Sequence, residues 1–447
     1  MPLQKNLVTW GVPFLIATSY GFLALLPDLR LAIPELLGAT ALITVLLAWA
    51  CRAGEGGLVK WSPAIILLPA LLFRLFFVLR PPELSDDIFR YLWDGLHTLQ
   101  GVNPYGAAPD RVLPASDALR QLASRVNHPS LVTVYPPAAQ AVFAAGASLG
   151  GKVLGLKGLL VALDLASCAL ILRLLAARGR NLAWGALYAW HPLPVLEIAG
   201  SGHIDGAGVF FLLLALTLLA APPRRLSSRP GLASLAAGAS FAGAILSKLF
   251  PLVFLPAALL FAGKKDRASF LLGLFAAGGL LCLPFWPEML NALGTLEAYA
   301  RHWEFSGFVY RTLSALSGSG LVARLIIALL FGGVWFLAHG RLRKRPAEAR
   351  APFKTLYAVT LAFLLLTPTL HPWYALYLAA LLPFAAEPAG IILSWAVLLA
   401  YRVLAPYAIL GEWIESDLWA LLIFAAPVVA LALRRGNRRK NHQGQTP

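Results

Sequence analysis

Pro82-Glu83-Leu84-Ser85-Asp86-Asp87-Ile88-Phe89-Arg90-Tyr91-Leu92-Trp93-Asp94 follows directly on an apolar run over residues 61–79. That run can cross a bilayer, for which roughly 20 predominantly apolar residues suffice. The acids behind it therefore emerge at a membrane face, because an ionised carboxylate is costly in hydrocarbon. Working outward, the chain repeats this pattern of apolar runs divided by short polar turns. Of its 447 residues 59% are hydrophobic and 13% charged, against the roughly one quarter charged of an ordinary soluble domain. The expectation is an all-α, polytopic transmembrane helical bundle forming one domain over residues 1–447.

The formal net charge of +16 would suggest nucleic acid in a soluble chain. Here Lys and Arg fall in short clusters between apolar runs, as the positive-inside rule requires, and no nucleic-acid partner is expected. Cys51, Cys168 and Cys282 are odd in number and lack partners at metal-ligand spacing, so neither a disulfide framework nor a zinc site is expected. The first apolar segment, 7–26, is too long for a signal-peptide core and reads as a retained anchor.

Reading the runs in order gives crossings at about 7–27, 31–50, 61–80, 158–176, 182–198, 206–221, 268–284, 320–338, 353–369, 373–386, 389–405 and 417–433. The stretch 232–262 begins and ends at basic clusters, so it goes out and returns, turning at Ser247-Lys248-Leu249-Phe250-Pro251. The total is about 14 crossings with both termini, and a basic tail over 434–447, on the cytoplasmic side. Residues 135–149 are too short to span and are expected as an interfacial or re-entrant helix, so that 81–157 forms one long outer loop with juxtamembrane helices. A second outer loop covers 285–319.

This topology brings separated polar motifs to one face: the acidic motif, Gly202-His203-Ile204-Asp205, Lys248, Arg301-His302 and His371-Pro372-Trp373-Tyr374. A single polar chamber is expected there. Each motif also has a plain structural reading. Ser85-Asp86-Asp87 can cap the following helix; Lys248 can snorkel; His371 and its aromatic neighbours can sit in an interfacial belt; His203 and Asp205 can form a polar turn. An aspartate is ionised at neutral pH, as a general base requires. No phosphate-binding loop, nucleophile elbow, zinc-protease motif or dinucleotide fingerprint occurs.

Ser85-Asp86-Asp87-Ile88-Phe89-Arg90-Tyr91, Gly101-Val102-Asn103-Pro104-Tyr105, Tyr135-Pro136-Pro137, Gly202-His203-Ile204-Asp205, Lys248-Leu249-Phe250-Pro251 and His371-Pro372-Trp373-Tyr374 together resemble, in order, the GT-C superfamily of membrane glycosyltransferases. Within it the likeness is to bacterial polyprenyl-phosphate-sugar-dependent enzymes of the mannosyltransferase type, over about residues 60–385. The resemblance implies an inverting hexosyltransferase of the bacterial inner membrane with a periplasmic site. Mannose is the first expectation for the sugar, and a lipid, glycan or protein of the cell envelope for the acceptor.

Asp86 matches the leading acid of the family's two-acid pattern and Asp87 the second, which leaves the base open between them. Lys248, Arg301, His302 and His371 are implied as ligands of the donor phosphate. Arg90, Tyr105, Tyr135, His203, Asp205, Tyr310, Trp373 and Tyr374 are implied as chamber residues. Two adjacent carboxylates are too few ligands to predict a divalent cation, and no cofactor is expected. The expectation from another functional class is a secondary transporter or lipid-linked sugar flippase, because broken helices with a buried lysine also mark transport sites.

Overall fold

The computed structural model describes residues 6–345 and 352–443. Part of the segment between the expected crossings 320–338 and 353–369, and the last residues of the expected tail, lie outside the described residues. Helix makes up 78% of the fold and no strand occurs among the described residues. In lipid every backbone N–H and C=O must be satisfied internally, which a chain without sheets achieves only as helices.

Among the described residues eight helices are long and apolar enough to cross a membrane: Leu7–Leu25, Ile33–Glu55, Val153–Ala177, Pro230–Ser247, Phe250–Phe285, Gly320–Lys344, Pro388–Leu410 and Asp417–Arg434. A ninth arises if Pro194–Gly200 and Asp205–Ala220, bent by 118°, form one span. Pro63–Val78, Phe353–Leu366 and Pro372–Ala385 are apolar but shorter. The chain is thus a helical membrane protein. The expected 14 crossings are reached only if the three shorter helices are counted, the bent pair is counted as two, and Phe250–Phe285 is divided at Gly263.

The expected out-and-back turn at Lys248 is present. The Pro230–Ser247 helix ends with Lys248 as its extended C-cap, and a 3-10 turn over Phe250–Phe254 starts the return. The returning helix breaks at Gly263, whose φ of +77° no helix accommodates. Beyond that break the chain runs alongside Pro230–Ser247 again. Ser234 donates to the Asp266 carbonyl, and the Cα of Gly238 faces the backbone of Phe270 so closely that any Cβ would collide with it.

Buried charge locks the centre. Arg74 and Asp164, both fully buried, meet at 2.6 Å. Arg74 also donates to the Ala70 and Ala189 carbonyls, and Tyr188 donates to Asp164 at 2.6 Å. Each charge is therefore hydrogen-bonded on several sides, the condition under which a buried pair is tolerated. Lys157 donates to the carbonyls of Phe77 and Arg80, satisfying the open C-terminal end of the Pro63–Val78 helix. Glu83 accepts from Arg80 and from the Leu29 N–H, which fixes where the acidic segment leaves the bundle.

Candidate active site

The Asp87–Leu99 helix is the floor of the candidate site, and its residues from Ile88 to Gly95 are all buried. Asp86 is its N-cap residue, yet the Asp86 side chain makes no capping bond. Ser85 Oγ accepts from the Asp87 N–H instead. The capping reading therefore holds for Ser85, and both carboxylates are free for other partners.

Asn127, in the segment that follows this helix, donates to both acids, at 3.0 Å to Asp86 and 2.7 Å to Asp87. The far oxygen of Asp87 receives the hydroxyls of Tyr91 and Tyr135 at 3.4 and 3.3 Å and faces His203 Nδ1 at 3.9 Å. Asp87 is therefore held from several directions. Asp86 stands at the rim, open to solvent on one side. Crowding by the protein around its carboxyl, and then the adjacent Asp87 charge, push Asp86 above the usual carboxylate range, against the opposing pull of Asn127 and His128.

His203 and Asp205 arrive from the break between the two bent helices. Gly202 makes that break possible: its φ is +78°, and a Cβ there would lie 2.3 Å from the Ile88 side chain. Asp205, 1% exposed, meets the Lys248 ammonium at 3.2 Å. Lys248 itself is 23% exposed and lies 5.3 and 5.8 Å from the ring centroids of Tyr374 and Tyr135, within cation–π range. Lys248 thus reaches into the site and does not snorkel away from it. Trp373 stacks between His203 at 4.0 Å and His371 at 4.3 Å, and His371 stacks in turn on Phe305 at 4.8 Å. The Phe305 backbone pairs with Pro368 and Leu370, tying the segment after the helix Ala292–His302 to the loop that carries His371.

No family model matches the chain, and no curated protein or solved structure matches it either.

The structure therefore joins Asp86, Asp87, Tyr135, His203, Asp205, Lys248, His371, Trp373 and Tyr374 through continuous contacts. It leaves out Arg301 and His302, which are exposed on the helix Ala292–His302, where Arg301 pairs with Glu297 at 2.5 Å. Tyr310 is also outside the group, packed with Ala323 and Ile327 in a separate cluster. Arg90 and Tyr105 serve as supports. Arg90 pairs with Asp94 at 2.9 Å and donates to the Leu131 carbonyl. Tyr105 donates to the Tyr135 carbonyl at 2.5 Å and so fixes the turn that presents Tyr135.

Two participants are absent from the residues singled out in the sequence. Asn127 lies in a polar loop with nothing to distinguish it. Glu197 was detectable, as a lone acid inside an apolar run, and it is fully buried with the Tyr401 hydroxyl donating to its carboxylate at 2.7 Å. Among the described residues no three His, Cys, Asp or Glu side chains gather in a group able to hold a metal ion.

Proposed function

We propose that the protein is a GT-C-like, inverting glycosyltransferase that moves a hexose, mannose as first choice, from a polyprenyl-phosphate sugar to an acceptor on the outer side of a bacterial inner membrane. The carrying observation is the joining of Asp86 and Asp87 to the Lys248–Asp205 pair, through Tyr135, from segments far apart in the chain. A base beside a partly solvated cation in a membrane-embedded group of polar side chains is what this transfer needs.

One of the adjacent carboxylates takes the proton of the acceptor hydroxyl. The oxygen then attacks the anomeric carbon as the bond to phosphate breaks on the opposite face, and the leaving phosphate keeps the electron pair. Lys248 is the cation placed to stabilise that charge, at an advantage over the same contact in water. Asp86 is favoured as base, because it is accessible and its proton affinity is raised, whereas Asp87 already accepts from Asn127 and two tyrosines.

The bent helix pair, with buried Glu197, His203 and Asp205 at its break, favours a second reading, a transporter or flippase of lipid-linked sugars. Purified protein in nanodiscs, given radiolabelled polyprenyl-phosphate mannose and an envelope-lipid acceptor mixture, separates the two. Radiolabel appearing in acceptor at a rate that Asp86→Asn and Asp87→Asn reduce supports the transferase. Translocation in proteoliposomes without transfer to any acceptor overturns it.

A further inference from the structure

His203 is 0% exposed, and neither of its ring nitrogens has a hydrogen-bond partner. Such an imidazole is costly unless its partners are close by. They are: Nδ1 faces Asp87 at 3.9 Å and Nε2 faces the buried Glu197 at 3.5 Å. The Tyr401 hydroxyl lies 2.7 Å from both Glu197 oxygens, including the one that faces His203. The ring plane is set by stacking on Trp373, with 17° between the planes. The other ionisable groups around it are Lys248, paired with Asp205, and His371, across Trp373.

A neutral imidazole carries one N–H and cannot donate to two carboxylates. One further proton resolves this. If that proton sits on Glu197, its O–H donates to Nε2 and the ring N–H is left at Nδ1, toward Asp87. If it sits on the ring, both nitrogens donate, one to each carboxylate. Either way an Nδ1–H points at Asp87.

We propose that His203 is a positioning residue for the transfer reaction: a proton shared between Glu197 and His203 Nε2 fixes the ring with Nδ1–H toward Asp87, and so holds Asp87 in register beside Asp86. No bond to substrate is implied. The separations exceed hydrogen-bond length here, and contacts of this kind commonly shorten when substrate closes a site. The inference rests on the transferase reading for its catalytic consequence, but the shared proton itself does not.

The test uses the full chain in nanodiscs, labelled with 15N-histidine. The two His203 ring signals are identified by their disappearance in His203→Gln. Glu197→Leu removes the proton-sharing partner, and is expected to move both signals and to lower turnover by about tenfold with little change in donor KM. Glu197→Gln should recover most of that turnover, because its amide N–H can donate to Nε2. Tyr401→Phe keeps Glu197 and serves if Glu197→Leu does not fold; it is expected to move the Nε2 signal.

Unmoved His203 signals in both Glu197→Leu and Tyr401→Phe overturn the shared proton, whatever the enzyme assay shows. Signals that move while turnover stays at the parent level overturn the positioning role. If the parent transfers no sugar at all, the transferase reading fails, and the 15N signals still decide whether the proton is shared.

Discussion

Lys248 holds its ammonium 3.2 Å from Oδ2 of Asp205, with the acid almost wholly buried and the amine partly open. The pair therefore has two separable roles. For the fold, Lys248 compensates a carboxylate that would otherwise be buried alone. For a ligand, it offers the positive charge on its open side. Lys248→Met should lower both donor affinity and turnover, and should cost stability, up to about 3 kcal/mol for a buried pair broken on one side. Adding Asp205→Asn removes the stranded charge, so the double variant should regain its thermal midpoint without regaining turnover. Recovery of both together would make Lys248 purely structural.

Asp86→Asn should abolish turnover while leaving donor binding near the parent value, because it removes proton acceptance with little change of shape. Its effect on stability has a defined sign. The Asp86 carboxyl is raised in the fold, so the native state holds this proton more tightly than the unfolded chain does. That contribution is full below the ordinary aspartate range and is lost as pH rises through the raised value. At neutral pH the variant should therefore melt no lower than the parent. Loss of turnover in Asp87→Asn but not in Asp86→Asn would transfer the role of base to Asp87.

Asp87→Asn also removes the second cause of the raised Asp86 value while leaving the first, burial, in place. If Asp86 is the base, the acid limb of the rate profile should move to lower pH in this variant, since Asp86 then ionises more readily. A limb that stays in place across a full pH–rate profile removes Asp86 as the group being observed.

The Arg74–Asp164 pair, by contrast, should matter to folding alone. Arg74→Met by itself leaves Asp164 charged and buried, a loss of about 3–5 kcal/mol. Arg74→Met combined with Asp164→Leu replaces the pair by apolar groups, and should recover most of that loss in denaturant melts. Turnover per folded molecule should be unchanged in the double variant.

Much of this was legible in the sequence for a physical reason. Apolar runs bounded by basic clusters reveal helices in lipid, and an ionisable residue such as Lys248 stands out against them. What the sequence did not reveal depends on breaks and partners. Pro194 and Gly202 allow the chain to leave helical geometry, but nothing in the residue order specifies a 118° bend or sets His203 between Asp87 and Glu197. Arg301 and His302 were grouped with Lys248 because they were expected on the same side of the membrane. Sharing a side is weaker than sharing a site: the helix Ala292–His302 turns both outward.

That difference yields a final contrast between two cations expected to serve the same phosphate. Arg301 has its side chain 69% exposed and pairs with Glu297 four residues before it, an exposed helical pair of the kind that contributes little. His371 is stacked between Phe305 and Trp373, where its ring is part of the wall next to His203. Arg301→Met should leave donor affinity within about twofold and the melting temperature unchanged. His371→Leu removes three ring contacts, with Phe305, Trp373 and Tyr374, each worth about 0.5–1.5 kcal/mol, and should lower both the melting temperature and turnover. Titration calorimetry with a short-chain polyprenyl-phosphate sugar measures the affinities. If Arg301→Met weakens that binding more than about tenfold, or about 1.4 kcal/mol, the helix Ala292–His302 must close onto Lys248 when donor is bound. The phosphate site would then be assembled by the ligand and not held ready in the arrangement described above.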